Sequence, residues 1–245
     1  MNPIDYLVSK GFRITSDPTK YASKIWGKRD YTVNGHNYDG YCGGYHRAYD
    51  LSKRHLAPVP SVCDGIVSAG TKAYGNFGGT VVVANKDLGI QVIYGHLARN
   101  LPVRVGQKVR AGETIGRQSN TNNQGVHMNS HLHIQFQNYG FIRGERNFVC
   151  TGIDPLKLVL HDVWPENGKI VTDRRINMRT FPNVCAARAG VLPAGSEVAF
   201  DRLYAADSYW WVRMRYKKAV RFMAVGPKKG SAFRKTPLWG SLLKN

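Results

Sequence analysis

A chain of 245 residues with 42% hydrophobic and 21% charged residues can bury one large or two small cores, which excludes wholesale disorder. No run of about 18 apolar residues is present, so a transmembrane helix is excluded as well. The 35 Lys and Arg against 16 Asp and Glu leave a net charge of +19, an excess that calls for an anionic partner: nucleic acid, an acidic membrane or an acidic wall polymer.

The N-terminal MNPIDYLVSKGF has no apolar stretch behind a basic start, so no signal peptide is visible. Helical periodicity is scarce along the chain. Short alternating or β-branched runs between Gly, Asn and Pro dominate, and they predict a mostly β protein built from antiparallel hairpins. The first informative pattern is Tyr45-His46-Arg47-Ala48-Tyr49-Asp50-Leu51. In an extended chain His46, Ala48 and Asp50 share one face, and a nitrogen beside an anionic oxygen suits zinc. Spacing of four alone is a weak signal, for which a surface Asp–His pair is the default reading. The four cysteines, Cys42, Cys63, Cys150 and Cys185, form no metal spacing and no disulfide framework, and read as buried free thiols.

TVVVANKDLGIQVIYGHL predicts a hairpin with His96 at a strand end, where a lone histidine is more often structural than catalytic. Ser130–Gln137 alternates cleanly. Leu132, Ile134 and Phe136 face one way; His131, His133, Gln135 and Gln137 face the other, leaving two imidazoles side by side. His36, His55, His127 and His161 lack partners at recognisable spacing and read as surface or structural. A short helix is expected near Asp154-Pro155. Trp164-Pro165-Glu166-Asn167-Gly168 reads as a turn-rich boundary, giving domains over 1–160 and 169–245 with a linker at 161–168. The net charge is +9 over the first 160 residues and +10 over the last 85, so the second domain is about twice as charge-dense. In Tyr209–Tyr216, Trp210, Val212, Met214 and Tyr216 form a core face, and Tyr209, Trp211, Arg213 and Arg215 an exposed one suited to binding.

A catalytic zinc site needs three protein ligands, an open position and groups that move protons. His46, Asp50 and one of His131 or His133 could be the ligands, with the other histidine and His96 handling protons. Spacing does not decide between the pair.

The series Arg13-Ile14-Thr15-Ser16, His46-x3-Asp50, Ala57-Pro58-Val59, Asp64-Gly65-Ile66-Val67, Tyr94-Gly95-His96-Leu97, Val105–Gly116 and His131-Leu132-His133 resembles the lysostaphin/LytM-type zinc endopeptidases of peptidoglycan. The resemblance covers roughly residues 10–158. It implies one Zn2+ held by His46, Asp50 and His133, with His96 and His131 as catalytic non-ligands. It also implies an antiparallel β domain with a groove over the metal and a groove tyrosine upstream of the first histidine, for which Tyr38 is the candidate and Tyr41 is also near. Two positions depart from the pattern. Ala48 stands where the family often has Gly, and Gln118–Ser130 is longer than the family's loop before His-x-His.

Residues from Glu197 to Gly226 and Trp239-Gly240 more loosely resemble bacterial SH3-like cell-wall-binding domains. That resemblance implies a small β-barrel that binds peptidoglycan, with Tyr209 and Trp211 as candidate contacts. Anionic wall polymers such as teichoic acids are expected as further partners, through binding that weakens with salt. Together the two resemblances imply a peptidoglycan hydrolase of the phage endolysin type, monomeric, held in the host cytoplasm until lysis and then acting on the wall. The alternative is a non-catalytic wall-binding protein that retains the peptidase fold, against which stand all five filled site positions. No motif supports specific nucleic-acid binding. The bond cleaved, whether Gly-Gly, D-Ala-Gly or another, is left open.

Overall fold

The computed structural model describes residues 2–15, 26–33, 35–72, 74–123, 125, 127–140, 150–158, 163–182, 184, 186–206, 208–228, 232–233 and 237–243. The chain divides into two compact units, Ile4–Pro155 and Leu156–Asn245, the latter joined by Met1–Pro3. The architecture is mostly β and every strand pairing is antiparallel, as the short alternating runs predict. No helix among the described residues is long and apolar enough to cross a membrane.

The first unit is built on a seven-stranded sheet. Its strand order is Arg13–Ile14, Ala48–Ser52, Leu132–Asn138, Ile90–Leu97, Gly79–Asn85, Gly65–Thr71, Lys108–Val109. Gly79–Asn85 and Ile90–Leu97 form the expected hairpin, closed by a turn in which Gly89 takes φ +69° and the Leu88 amide donates to the Asn85 side chain. One face of the sheet carries Leu51, Val83, Val92, Tyr94, Leu132, Ile134 and Phe136, all buried. Each such side chain contributes about 1.5–3 kcal/mol by leaving water. The Tyr94 hydroxyl at the bottom of this core accepts from the Val62 amide, which removes the cost of burying it. The opposite face is also covered. At one end Tyr74, Val82 and Ile93 form an apolar platform with Phe77 against it. At the other end the same face carries Asp50, His133 and Gln135.

The second unit is another seven-stranded antiparallel sheet, ordered Arg188–Leu192, Ile176–Arg179, Ala219–Pro227, Tyr209–Tyr216, Glu197–Ala206, Val163–Thr172, Gly240–Leu243. Trp210, Val212 and Met214 enter its core with Ile170, Met178 and Met223, and Tyr216 packs at the margin.

Two expectations are corrected. Trp164–Gly168 is not a linker. It lies within the strand Val163–Thr172, whose register shifts between Pro165 and Gly168. Pro and Gly read as breakers, but a bulge accommodates both without ending the strand. The short helix expected near Asp154-Pro155 is present as the three-residue 3-10 helix Pro155–Lys157. Trp211 does not lie on an exposed face. It is 1% exposed, its indole N–H donates to the Ala206 carbonyl, and Arg213 beside it is buried against Asp201. Alternation sorts residues between two faces of a strand, and here both faces are packed.

Candidate metal centre

The site begins with strand register. Ala48–Ser52 pairs with Leu132–Asn138 so that Asp50 lies directly across from His133 and Ala48 across from Gln135. Residues opposite each other on one face are within side-chain reach, so two oxygens and an imidazole meet there without any loop having to fold over them. His46 arrives from the short strand Tyr45–His46. Gly43 and Gly44 turn the chain into it with φ of +63° and +84°, and a Cβ on Gly44 would collide with the Asp30 carboxylate.

His46 Nε2 lies 3.4 Å from Asp50 Oδ2, and His133 Nδ1 lies 3.1 Å from Asp50 Oδ1. Donor atoms of His46, Asp50 and His133 all fall within 4.8 Å of one another. Two ligands at zinc–ligand distances of about 2.05 Å and a tetrahedral angle sit about 3.3 Å apart, close to each of these pairwise contacts, which fall on different oxygens of Asp50; two imidazoles and a carboxylate are a donor set that fits zinc. Burial opposes ionisation of Asp50, but the adjacent His46, His133 and His131 outweigh it and hold the carboxyl well below the usual carboxylate range. Burial likewise pushes the His133 imidazole down, against the pull of Asp50. An anionic oxygen and a neutral nitrogen are the forms a metal requires.

The other ring nitrogen of His133, Nε2, lies 3.5 Å from Gln135 Oε1, while Gln135 Nε2 donates to the Thr151 carbonyl at 2.8 Å. A carbonyl only accepts, so the Gln135 amide nitrogen faces Thr151 and its oxygen faces His133. With a metal bound at Nδ1, which here faces the Asp50 carboxylate, the His133 proton would sit on Nε2 toward the Gln135 oxygen. Phe77 stacks on the His133 ring with centroids 4.6 Å apart. A Cβ on Gly95, the residue paired with His133, would lie 3.2 Å from Phe77 Cβ and 3.4 Å from His133 Cβ.

His96 joins the site through a bulge. Gly95 faces the site with His133, and strict alternation would send His96 into the core beside Tyr94. Instead the register shifts between Tyr94 and Leu97 and His96 takes φ +58°. A bulge re-aims a side chain in this way. The His96 ring comes to 4.6 Å from His131 and 5.8 Å from His133. Its Nδ1 donates to the Thr121 carbonyl at 2.8 Å, which leaves Nε2 with its lone pair. Burial, then the neighbouring His131 and His133, push the His96 pKa down to about 3. His131 is held in the same way: Nδ1 donates to the Asn129 carbonyl at 2.8 Å, and Nε2 lies 3.9 Å from Asp50 Oδ1. The five residues named from the sequence therefore converge, with two acceptor nitrogens beside three donor atoms.

The other predicted residues fall elsewhere. Tyr38 and Tyr41 are exposed, and the Tyr38 ring packs 5.6 Å from Tyr31. Tyr209, half-buried on the second unit, lies 5.5 Å from Trp239, over which the Arg174 guanidinium sits at 5.7 Å. His55 Nδ1 lies 3.0 Å from the Ser130 hydroxyl, and His127 is exposed. The His36 side chain, His161 and Cys185 lie outside the described residues. The expectation of free thiols holds for Cys63, which is buried, with a pKa raised to about 12 by burial. It fails for Cys42 and Cys150, which form a disulfide across 108 residues of sequence. Spacing gave no sign of that pair, because antiparallel pairing brings distant segments together.

Sequence reasoning also missed Arg29, Asp39 and Thr121. Arg29 donates to both oxygens of Asp39 at 2.9 Å and reaches Asp50 Oδ2 at 3.4 Å. Thr121 accepts from the Gly79 amide, donates to the Leu97 carbonyl and offers its own carbonyl to His96. The polar, Gly-rich segments holding these residues carry no periodicity that would have singled them out.

The chain is similar to known proteins. Over 156 residues, 62% of this chain, the sequence is 42% identical to Endolysin 2638A of Staphylococcus phage 2638A, covering 32% of that protein. Over 229 residues, 83% of this chain, it is 25% identical to Glycyl-glycine endopeptidase ALE-1 of Staphylococcus capitis, covering 60% of that protein. The chain thus spans about a third and somewhat over half of these two relatives. Among solved structures it is similar to the antimicrobial peptidase lysostaphin from Staphylococcus simulans, with a TM-score of 0.38, 23% identity and coverage of 89% of this chain and 93% of that one. Residues 44–144 match the model of Peptidase family M23, and that stretch contains all five converging residues.

Proposed function

We propose that this chain is a peptidoglycan hydrolase of the endolysin type, with a zinc endopeptidase unit followed by an SH3-like wall-binding unit. One observation carries the reading. Donor atoms of His46, Asp50 and His133 gather within 4.8 Å of one another beside two imidazoles whose Nε2 atoms can accept a proton. His46, Asp50 and His133 would hold the metal. Zinc bound there would supply Lewis-acid chemistry, lowering the pKa of a water toward about 7 and polarising the scissile carbonyl.

The chain's own groups would do the rest. His96 and His131 each keep Nδ1 engaged on a carbonyl, so their free Nε2 atoms accept the proton lost by the attacking water and return it to the leaving amine. His131, the more accessible of the two, is the route by which that proton reaches solvent. The imidazolium so formed helps to stabilise negative charge on the carbonyl oxygen. The net charge of +19 supports recruitment to an anionic wall, and the Tyr209–Trp239–Arg174 cluster is the candidate contact on the second unit. The phage relative's name supports release at lysis. The ALE-1 name makes glycine-rich cross-bridges the first substrate to test.

Purified glycine-bridged sacculi are digested with and without a zinc chelator, and new amino termini are read by mass spectrometry. New termini that disappear with chelator are expected, and their sequence names the bond. Sacculi that bind the chain without yielding termini, across several cross-bridge types, would overturn the endopeptidase reading.

A further inference from the structure

Asp50 has two oxygens, and a tetrahedral metal uses one of them well. What the other touches decides how the carboxylate is presented. Here the neighbour is Arg29, only 8% exposed at its side chain, with Nη1 3.4 Å from Asp50 Oδ2. Arg29 does not reach Asp50 as a mobile surface cation. Its Nε and Nη2 are both committed to Asp39, itself buried, at 2.9 Å each. That forked geometry fixes the plane of the guanidinium, and the third nitrogen is thereby aimed. Asp39 is fixed in turn: its Oδ2 accepts from the Tyr31 amide at 2.8 Å, and its carbonyl accepts from the Cys42 and Gly44 amides. Asp39 immediately precedes the turn Gly40–Cys42.

That turn is tied covalently to the far side of the site. Cys42 is bonded to Cys150, with Cα atoms 4.9 Å apart. Cys150 precedes Thr151, whose carbonyl holds Gln135 and Gln137, and Gln135 faces His133. One bond therefore joins the outer contacts of two of the three donor residues, Asp50 through Arg29 and Asp39, and His133 through Gln135 and Thr151.

We propose that Arg29 is a positioning residue for Asp50, and that the Cys42–Cys150 disulfide holds Arg29 in that position. The inference rests on His46, Asp50 and His133 forming a zinc site. Because Asp39 balances its charge, Arg29 acts through geometry rather than by repelling the metal. Outer contacts of this kind typically govern 10–100-fold in metal affinity.

The test measures zinc affinity by competition with a chromogenic chelator. Coordination is read from the visible absorption of the cobalt(II)-substituted protein. Wild type is compared with Arg29→Lys, with the neutral pair Arg29→Gln/Asp39→Asn, and with Cys42→Ser/Cys150→Ser. Lysine keeps the charge but cannot serve Asp39 and Asp50 together. The neutral pair avoids stranding a buried Asp39 carboxylate. Each variant is expected to lose zinc affinity about 10–100-fold and to show an altered cobalt spectrum. Combining the serine pair with Arg29→Lys is expected to cost less than the sum of the two losses, because both act along one path. Folded Arg29→Lys that binds zinc within about twofold of wild type, with an unchanged cobalt spectrum, overturns the proposal, and it remains decisive if the neutral pair does not fold. A wild-type protein that fails to bind zinc sinks the metal reading instead, a different result from tight wild-type binding with unaffected variants.

Discussion

At the residue scale, the five converging side chains divide by what their second polar atom does. His96 and His131 spend Nδ1 on a backbone carbonyl and keep Nε2 open; His133 faces Gln135 through Nε2 and keeps Nδ1 toward Asp50. Hydrogen bonds on one side of each ring thus set its role on the other. The division predicts a split between metal content and turnover. His133→Ala removes a donor and is expected to abolish both zinc binding and activity. His96→Gln removes a proton acceptor outside the donor set, and is expected to retain zinc stoichiometry while lowering kcat about 100-fold or more. Metal content by atomic emission, measured beside turnover, checks it, and a zinc-free yet active His133→Ala protein would falsify the assignment.

At the element scale, the strand Ile90–Leu97 does two jobs that simple alternation cannot combine. Up to Tyr94 it fills a core; at His96 it serves the site, and the bulge between Tyr94 and Leu97 makes the change. Gly79, paired with Leu97 at that bulge, leaves no room for a side chain: a Cβ there would overlap the Leu97 carbonyl oxygen. Gly79→Ala is expected to destabilise the first unit by about 1–3 kcal/mol and to lower turnover beyond that loss, because the bulge must move and His96 moves with it. Urea midpoints and activity on the folded fraction measure the two effects separately. The bulge also marks how far the sequence could be read. Candidate donors were legible because a period of two puts His46 with Asp50, and His131 with His133, on shared faces; period left His131 and His133 equal, and the family resemblance chose His133. The side that His96 faces was not legible from period at all, since alternation from Tyr94 points it into the core. Trp211 failed in the opposite sense. Its separation from Trp210, Val212 and Met214 holds, but the face it shares with Tyr204 and Phe222 is itself buried, and no pattern within one strand reports that. Arg29, Asp39 and the Cys42–Cys150 pair needed knowledge of which loops meet, which local sequence does not contain.

At the scale of the whole molecule, a cation-rich chain buries two imidazoles, His96 and His133, in surroundings that disfavour their charged forms, and this shapes its response to acid. His96 is pushed down to about 3 in the folded state, mainly by burial, whereas an unfolded chain leaves a histidine near about 6.5. Between those values the unfolded state holds one more proton than the folded state. Stability therefore rises with pH across the window and falls as pH is lowered through it, by about 1.4 kcal/mol per pH unit for one such group. His133 shifts in the same direction. Asp50, held well below its ordinary range, adds a loss of the same sign once pH falls under about 4, where an unfolded carboxylate takes up its proton first. Acidification also adds positive charge to a molecule already at +19, and self-repulsion acts in the same direction. The metal-free protein is thus expected to have a flat stability profile from about pH 8 to 6.5 and a progressive fall below it, with His96→Gln flattening part of that fall. Urea unfolding of the metal-free chain at pH 8, 6 and 5 tests this directly. Equal midpoints at all three values would mean that His96 and His133 protonate in the folded state as readily as in the unfolded one, and that the site is open to water rather than buried.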